Sequence, residues 1–390
     1  MAKYKAYPEY KDSGVEWLGE VPSHWNVAKT MRYFKIAMGQ TILKEQLEDD
    51  GEWPVYSATE GESYFGYVSS PQVKLGVGDL VIPARGNSIG SVKLVSGKST
   101  TTQTTIYCKH LTQAIYPAFA YYFMLGNRKN LFWFTQTAIP QITVEEVGCN
   151  PILLPTYEEQ VVVASFLDHE TAKIDNLIEK QQQLIELLKE KCQAVISHAV
   201  TKGLNPDVPM KDSDVEWLGD VPEHWEVSKF GYISLVVRGG SPRPAGDPTL
   251  FNGDYSPWVT VAEITKDNEI YLDSTDTFLT KKGSEQCRVF KAGTLLLSNS
   301  GATLGVPKIL SIDANANDGV VGFELLNIDH EYAYFYLSTL TTNLRESIKQ
   351  GSGQPNLNTD IVKSIAIPIP PENDIQRIVS FMEGANKFLI

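Results

Sequence analysis

The stretch "KDSGVEWLGEVPSHWNV" runs from Lys11 to Val27, and "KDSDVEWLGDVPEHWEV" runs from Lys211 to Val227. Thirteen of the seventeen positions are identical, at an offset of 200 residues; only 14/214, 20/220, 23/223 and 26/226 differ. Repetition on this scale marks an internal duplication. The repeat continues. "GDLVIPARGNSIGSVKLV" (Gly78 to Val95) aligns with "GTLLLSNSGATLGVPKIL" (Gly293 to Leu310) at an offset of 215. "AIPQITVEEVGCNPILLP" from Ala138 aligns with "GQPNLNTDIVKSIAIPIP" from Gly353 at the same 215, and "EEQVVVASFLD" then faces "NDIQRIVSFME", with Phe166 opposite Phe381. The ends of each unit are alike and the middles have diverged. That pattern implies a shared scaffold carrying independently chosen recognition surfaces.

A chain of 390 residues suits two domains of ordinary size better than one core. With 42% hydrophobic and 21% charged residues it reads as a soluble globular protein. No apolar run approaches the roughly 18 residues of a membrane span, and the opening "MAKYKAYPEYKDSG" has no secretory apolar region. The cysteines (Cys108, Cys149, Cys192, Cys287) form no Cys-x-x-Cys pair, so neither zinc nor a disulfide framework is indicated and a cytoplasmic location is expected. A net charge of −13 argues against indiscriminate nucleic-acid binding without excluding a specific site.

Short β-branched runs punctuated by Gly, Pro and Asn, such as "DLVIPARGNSIGSVKLV" and "SIAIPIP", predict short strands joined by turns. "YPAFAYYFMLGN" and "HEYAYFYLSTLTTNLRESI" have helical spacing at matching places in the two halves. From Glu158 to about Thr201 the pattern changes. Leu167, Thr171, Ile174, Ile178, Gln181, Ile185, Leu188, Cys192, Val195 and Ala199 recur in steps of four and three, the seam of a coiled coil. "TKGLNPDVP" ends it with a glycine followed by prolines. The predicted architecture is α+β: two tandem mixed α/β domains with a pseudo-twofold internal repeat, separated by a long coiled-coil-type helix. The boundaries are a first domain at 1–157, a central spacer helix at 158–202, a second domain at 203–372, and the start of a second, shortened spacer helix at 373–390. The seam of the first helix, at Leu167, Ile174, Ile178, Ile185, Leu188, Cys192 and Val195, then lacks a partner and marks an interface.

Catalytic signatures are missing from the sequence. "GVGDL" and "RGGSPRPAG" lack the ending of a phosphate-binding loop, and no Gly-x-Ser-x-Gly or His-Glu-x-x-His occurs. "CNPIL" and "LNPDV" lack the second proline and the aromatic residue of an amino-methyltransferase motif. The repeated His-Trp pairs (His24-Trp25, His224-Trp225) read as rings packed under a strand. What remains are polar, glycine-rich loops at matching places. The first half supplies Arg85, Asn87, Ser88, Lys93, Lys98, Thr102, Gln103 and Thr104; the second supplies Arg238, Ser241, Arg243, Asn299, Ser300, Thr303 and Lys308. Arg, Asn, Gln, Ser and Thr can read base edges through paired hydrogen bonds, and Lys grips phosphates.

The pieces "GVEWLGEVPSHWNV", "DVEWLGDVPEHWEV", the "LP…EEQ…FLD" and "IP…IQ…FME" helix entries, and the linking "VTKGLNPDVPMKDS" together resemble the specificity subunit of type I restriction-modification systems. "GSPRPAG…PWVTVAEIT" is similar to the start of a target-recognition domain of that family. The resemblance implies that each half reads one part of a bipartite double-stranded DNA target and that helices fix the spacer between the parts. It implies docking of two modification subunits that methylate adenine, joined by restriction subunits that translocate and cleave. This chain would bind no cofactor; S-adenosylmethionine, ATP and Mg would belong to the partner subunits. The subunit itself would be non-catalytic. The departure from the family pattern is the shortened second helix, from which two expectations follow: self-pairing through the exposed seam, or weakened assembly. The alternative function is a stand-alone or truncated DNA-binding or interaction protein that has lost full assembly.

Overall fold

The duplication written in the sequence is a duplication of strand pairings. The computed structural model describes residues 6–59, 61, 63–132, 140–301, 303–346 and 357–386. Met1 to Lys5, Ala138, Ile139, Ser347, Ile348, Gly353 to Asn356 and Lys387 to Ile390, all used in the sequence reading, lie outside these. The chain divides into two units, 1–181 and 182–390.

In the first unit, the hairpin Tyr10–Asp12 with Glu20–Pro22 leads into strand Asn26–Lys29, which pairs antiparallel with Pro151–Leu154. In the second, Met210–Asp212 with Asp220–Pro222 leads into Glu226–Lys229, paired with Ala366–Ile369. The main sheets match as well. The first unit orders Phe34–Met38, Thr105–His110, Leu80–Pro83 and Lys93–Leu94. The second orders Leu235–Arg238, Val320–Glu324, Leu295–Ser298 and Pro307–Leu310, and adds Tyr271–Leu272. Register is kept: Met38 faces Ile106 as Arg238 faces Val321, and Ile82 faces Ile106 as Leu297 faces Val321. Leu80–Pro83 and Leu295–Ser298 are buried at every position, as continuous apolar runs should be in a covered central strand.

One helix closes each core. Pro117–Gly126 starts on proline, whose missing N–H costs nothing at a helix entry, and buries Phe119, Ala120, Phe123 and Met124. His330–Thr339 is capped by the Asp329 side chain, which accepts from the Tyr332 amide. It buries Tyr332 and Tyr336, whose hydroxyls donate to the Val200 and Pro368 carbonyls and to the Ala366 carbonyl. Those bonds allow two large phenols to sit in an apolar core.

The spacer helix runs Tyr157–Lys202, 46 residues, or about 69 Å at 1.5 Å per residue. Its first turns belong to the first core: Ala164 is buried, and Gln160 bonds the Tyr116 amide and the Ala114 and Pro155 carbonyls. Its last turns, Ala199 and Val200, belong to the second core. Gly203 ends it in the left-handed conformation, its amide bonded to the Ala199 carbonyl. Between these ends the seam residues Ile174, Ile178, Ile185 and Leu188 are 45–55% exposed. The second helix of this kind begins as expected and is described over Glu372–Asn386.

Candidate nucleic-acid interface and its anchor

In the first unit a chain of hydrogen bonds draws four loops to one edge. Ser88 Oγ donates to the Ala58 carbonyl at 3.0 Å, and the Ala58 amide donates to Thr104 Oγ1 at 3.2 Å. Thr104 and Thr102 share a hydroxyl contact at 2.7 Å, and Thr41 Oγ1 donates to Gln103 Oε1 at 3.0 Å. Arg128 grips the 86–90 loop from behind, its guanidinium donating to the carbonyls of Ile89 and Asn87. This gathers Arg85, Asn87, Ser88, Thr102, Gln103 and Thr104. Ser88 and Thr102 are buried and hold the loops, whereas Arg85, Asn87 and Gln103 face solvent. Two lysines are elsewhere. Lys98 bonds Glu52 at 2.7 Å and lies over the Trp53 ring; Lys93 lies over the Tyr56 ring.

The second unit builds the same edge from different residues. Ser241 Oγ donates to Asp318 Oδ1 at 2.8 Å, and Arg238 Nε donates to the Asp318 carbonyl at 2.6 Å. The pair Ser241–Asp318 stands where Thr41–Gln103 stands in the first unit: a hydroxyl two residues after a glycine, bonded to an acceptor at the tip of a turn. Gly39 and Gly239 make that approach possible. A Cβ on Gly39 would collide with the Thr101 and Thr102 carbonyls, and one on Gly239 with those of Ala316 and Asn317. Arg243, exposed, is placed through its amide on Gln286 Oε1. Thr303 is exposed and Ser300 half-buried. Asn299 and Lys308 are fully buried, which withdraws their side chains from any ligand at the surface. Lys308 instead donates to the Glu269 carbonyl at 2.6 Å and to the Asp267 carboxylate. That bond from Lys308 is the main cause of a lowered Asp267 pKa. Sequence reasoning overlooked Asn317 and Asp318, the counterparts of Thr102 and Gln103. The offset of 215 pointed at them, because "TTTQTT" (100–105) falls on "NANDGV" (315–320).

The repeated His-Trp element has a definite role in the structure. His24 Nε2 lies 2.8 Å from Glu159 Oε1, and Trp25 Nε1 donates to the same oxygen at 3.5 Å. His224 Nε2 lies 2.9 Å from Asp374 Oδ2, and Trp225 Nε1 donates to it at 3.1 Å. Each carboxylate sits in the first turn of a spacer helix. The expectation that both rings pack under a strand is therefore corrected for the histidines, whose side chains are 44% and 45% exposed. They reach outward to a helix that begins more than a hundred residues later. The tryptophans do pack: Trp25 belongs to the first core, under Tyr7, and Trp225 is buried in the second. The other oxygen of Glu159 closes a capping box, accepting from the Thr156 amide and hydroxyl at 3.0 and 2.9 Å. Partial burial alone would raise the pKa of Glu159; the bonds from His24, Thr156 and Trp25 outweigh it and hold the value down at about 2. The Asp374 pKa is lowered too, chiefly by the bond from His224.

Comparison with known proteins fits this duplicated arrangement. The family model for the type I restriction modification DNA specificity domain matches residues 22–187 and, a second time, 222–388. The chain belongs to this family. Among curated relatives, the type I restriction enzyme MjaVIII specificity subunit of Methanocaldococcus jannaschii is 23% identical over 383 residues, covering 90% of this chain and 83% of the relative. The MjaIX specificity subunit of the same organism is 28% identical over 180 residues, 45% of this chain and 40% of its own length. A chain from a study of complex assembly and conformational transition of the type I restriction-modification system superposes with a TM-score of 0.65 at 15% identity, covering 94% of this chain and 91% of that one. The HsdS subunit from Thermoanaerobacter tengcongensis gives 0.53 at 14% identity, covering 94% and 90%. At such identities the structures speak for the fold, and they agree with the predicted tandem α+β domains and long helix. A member of the specificity-domain family recognises DNA sequence within a restriction-modification system and is not itself the catalyst. Among the described residues no helix is long and apolar enough to cross a membrane.

Proposed function

We propose that each unit reads one half of a bipartite DNA target, and that the chain docks two modification subunits that methylate adenine and, with them, restriction subunits. The observation that supports this most directly is one scaffold built twice with the same register, presenting two different sets of exposed polar side chains at equivalent loop edges. Arg85, Asn87, Gln103 and Thr104 would read one half-site; Arg238, Arg243, Ser300, Thr303 and Asp318 would read the other. Lys98 would serve the phosphate backbone, where charge rather than direction matters. Ser88, Lys93, Thr102, Ser241, Asn299 and Lys308 would act through the loops they shape. The spacer helix would set the distance between half-sites.

The test is to co-express the chain with candidate modification subunits and map methylated adenines across the genome. Two defined sequence blocks at fixed separation are expected, and methylation at a single undivided sequence would overturn the bipartite reading. Arg85→Ala should relax one block and Arg243→Ala the other, each by roughly 1–3 kcal/mol of base discrimination. Equal weakening on unrelated DNA would make them phosphate contacts instead.

A further inference from the structure

The exposed stretch of the spacer helix carries a pattern that neither core uses. Tyr122 holds Asp168 and Thr171 near its start, and Gln193 reaches the Ser338 carbonyl near its end. From Ile174 to Cys192, about 27 Å of helix, the apolar stripe faces solvent, widened by Leu177 (59% exposed) and Leu184 (55%). In heptad terms Ile174, Gln181 and Leu188 occupy one seam position, and Ile178, Ile185 and Cys192 the other.

We propose that this stripe binds the same stripe of a second copy of the chain, antiparallel, about a twofold axis at Gln183. That axis alone sets every seam residue of one type against one of the other: Ile174 on Cys192, Ile178 on Leu188, and Gln181 on Ile185, each occurring twice. Flanking charges select the same arrangement. Asp175 falls beside Lys189 of the second copy, also twice, and Leu184 packs on Leu184. Parallel pairing would instead bring Glu170 beside Asp175, acid against acid, and Gln181 against Gln181. The polar Gln181 then fixes register at some cost in strength. Lys189 bonds Glu186 within its own helix at 3.1 Å, with both side chains more than two-thirds exposed. An exposed pair of that kind exchanges readily.

Sedimentation velocity of the full chain without DNA tests the proposal; dimers at micromolar concentration are expected, and a strict monomer overturns it. Asp175→Lys should weaken the dimer roughly tenfold by turning two attractions into repulsions. The double variant Asp175→Lys/Lys189→Asp should restore it. A dimer indifferent to both changes is held by another surface, which also overturns the proposal. Orientation is read by oxidation in a Cys149→Ser/Cys287→Ser background. There Ile174→Cys should link to Cys192 of the second copy, whereas cross-linking of Cys192 without that substitution means parallel pairing and refutes the axis. Circular dichroism of each variant separates a lost dimer from a lost helix.

Discussion

Replacing Glu159 by alanine should loosen the start of the spacer helix from the first core. The carboxylate accepts four hydrogen bonds, from His24, Trp25 and the Thr156 amide and hydroxyl. Holding its pKa near 2 rather than the usual 4.5 corresponds to roughly 3 kcal/mol in favour of the ionised folded form. The side chain is 24% exposed, so solvent screening brings the expected figure to about 2 kcal/mol. Loss of a helix cap alone gives about 1 kcal/mol, so the larger value requires the His-Trp side of the carboxylate as well. The sign with pH follows from a folded pKa below the unfolded one. The contribution is complete above about pH 4.5 and disappears as pH falls towards 2. Amide hydrogen exchange is the suitable assay, because it reads one turn in a chain with two cores. At neutral pH, Glu159→Ala should speed exchange at residues 159–164 by roughly 30-fold. His24→Ala should do so by less, since the capping box survives. Exchange unchanged in Glu159→Ala would show that the anchor contributes nothing and refute the reasoning. Asp374→Ala is the internal control, loosening the helix at Glu372 and leaving residues 159–164 untouched.

Gly39→Ala and Gly239→Ala should each distort one loop edge, because the added methyl meets backbone carbonyls that cannot move aside. A loss of about 1–3 kcal/mol in thermal unfolding is expected, with degraded methylation at one half-site only. Lys308→Ala should destabilise the second unit by about 3 kcal/mol, since it leaves Asp267 unpaired and a cavity behind. Base preference should change little, and a change as large as that of Arg243→Ala would mean that Lys308 reaches DNA. Thr41→Val and Ser241→Ala should free Gln103 and Asp318 from their hydroxyl partners. Broadened base preference at the corresponding half-site, read by methylation mapping, is the expected result.

The scaffold was legible because its signals are local or repeated. Alternation and turn residues mark the strands, and steps of three and four mark the spacer helix. The offset of 200 in the amino-terminal motif announces the paired units. What was not legible depends on partners far along the chain. Nothing near His24 says that its imidazole meets a carboxylate 135 residues later, and the bland reading of a packed ring was reasonable until that carboxylate was placed. Lys93 and Lys308 look alike in aligned segments. Their surroundings differ because the diverged middle of the second unit brings Asp267 and Glu269 under Lys308, while the first unit brings the Tyr56 ring under Lys93.

The change of offset from 200 to 215 locates where the two units part company. Thr41 and Ser241 are the last structurally matched positions before it, each bonded to its turn acceptor. Gly78 and Gly293 are the first after it, each donating its amide to the matching strand carbonyl, Val95 and Leu310. Between them lie residues 42–77 in one unit and 242–292 in the other, and the 15 extra residues of the second fall wholly inside that interval. The first folds it as Trp53–Tyr56 and Gly66–Val68, with Thr100–Thr101 alongside. The second builds a four-stranded sheet around Phe251–Val259 and Ala314–Ala316. One contact persists through the change: Val55 runs parallel to Thr100 as Trp258 does to Asn315. A segment free to vary in length and sheet size must still return to the same neighbouring strand, because the following turn carries Gln103 or Asp318. The scaffold thus constrains where the variable segment enters, leaves and touches the reading edge, and leaves its content open. That division lets one duplicated framework carry two unrelated recognition surfaces without losing either core.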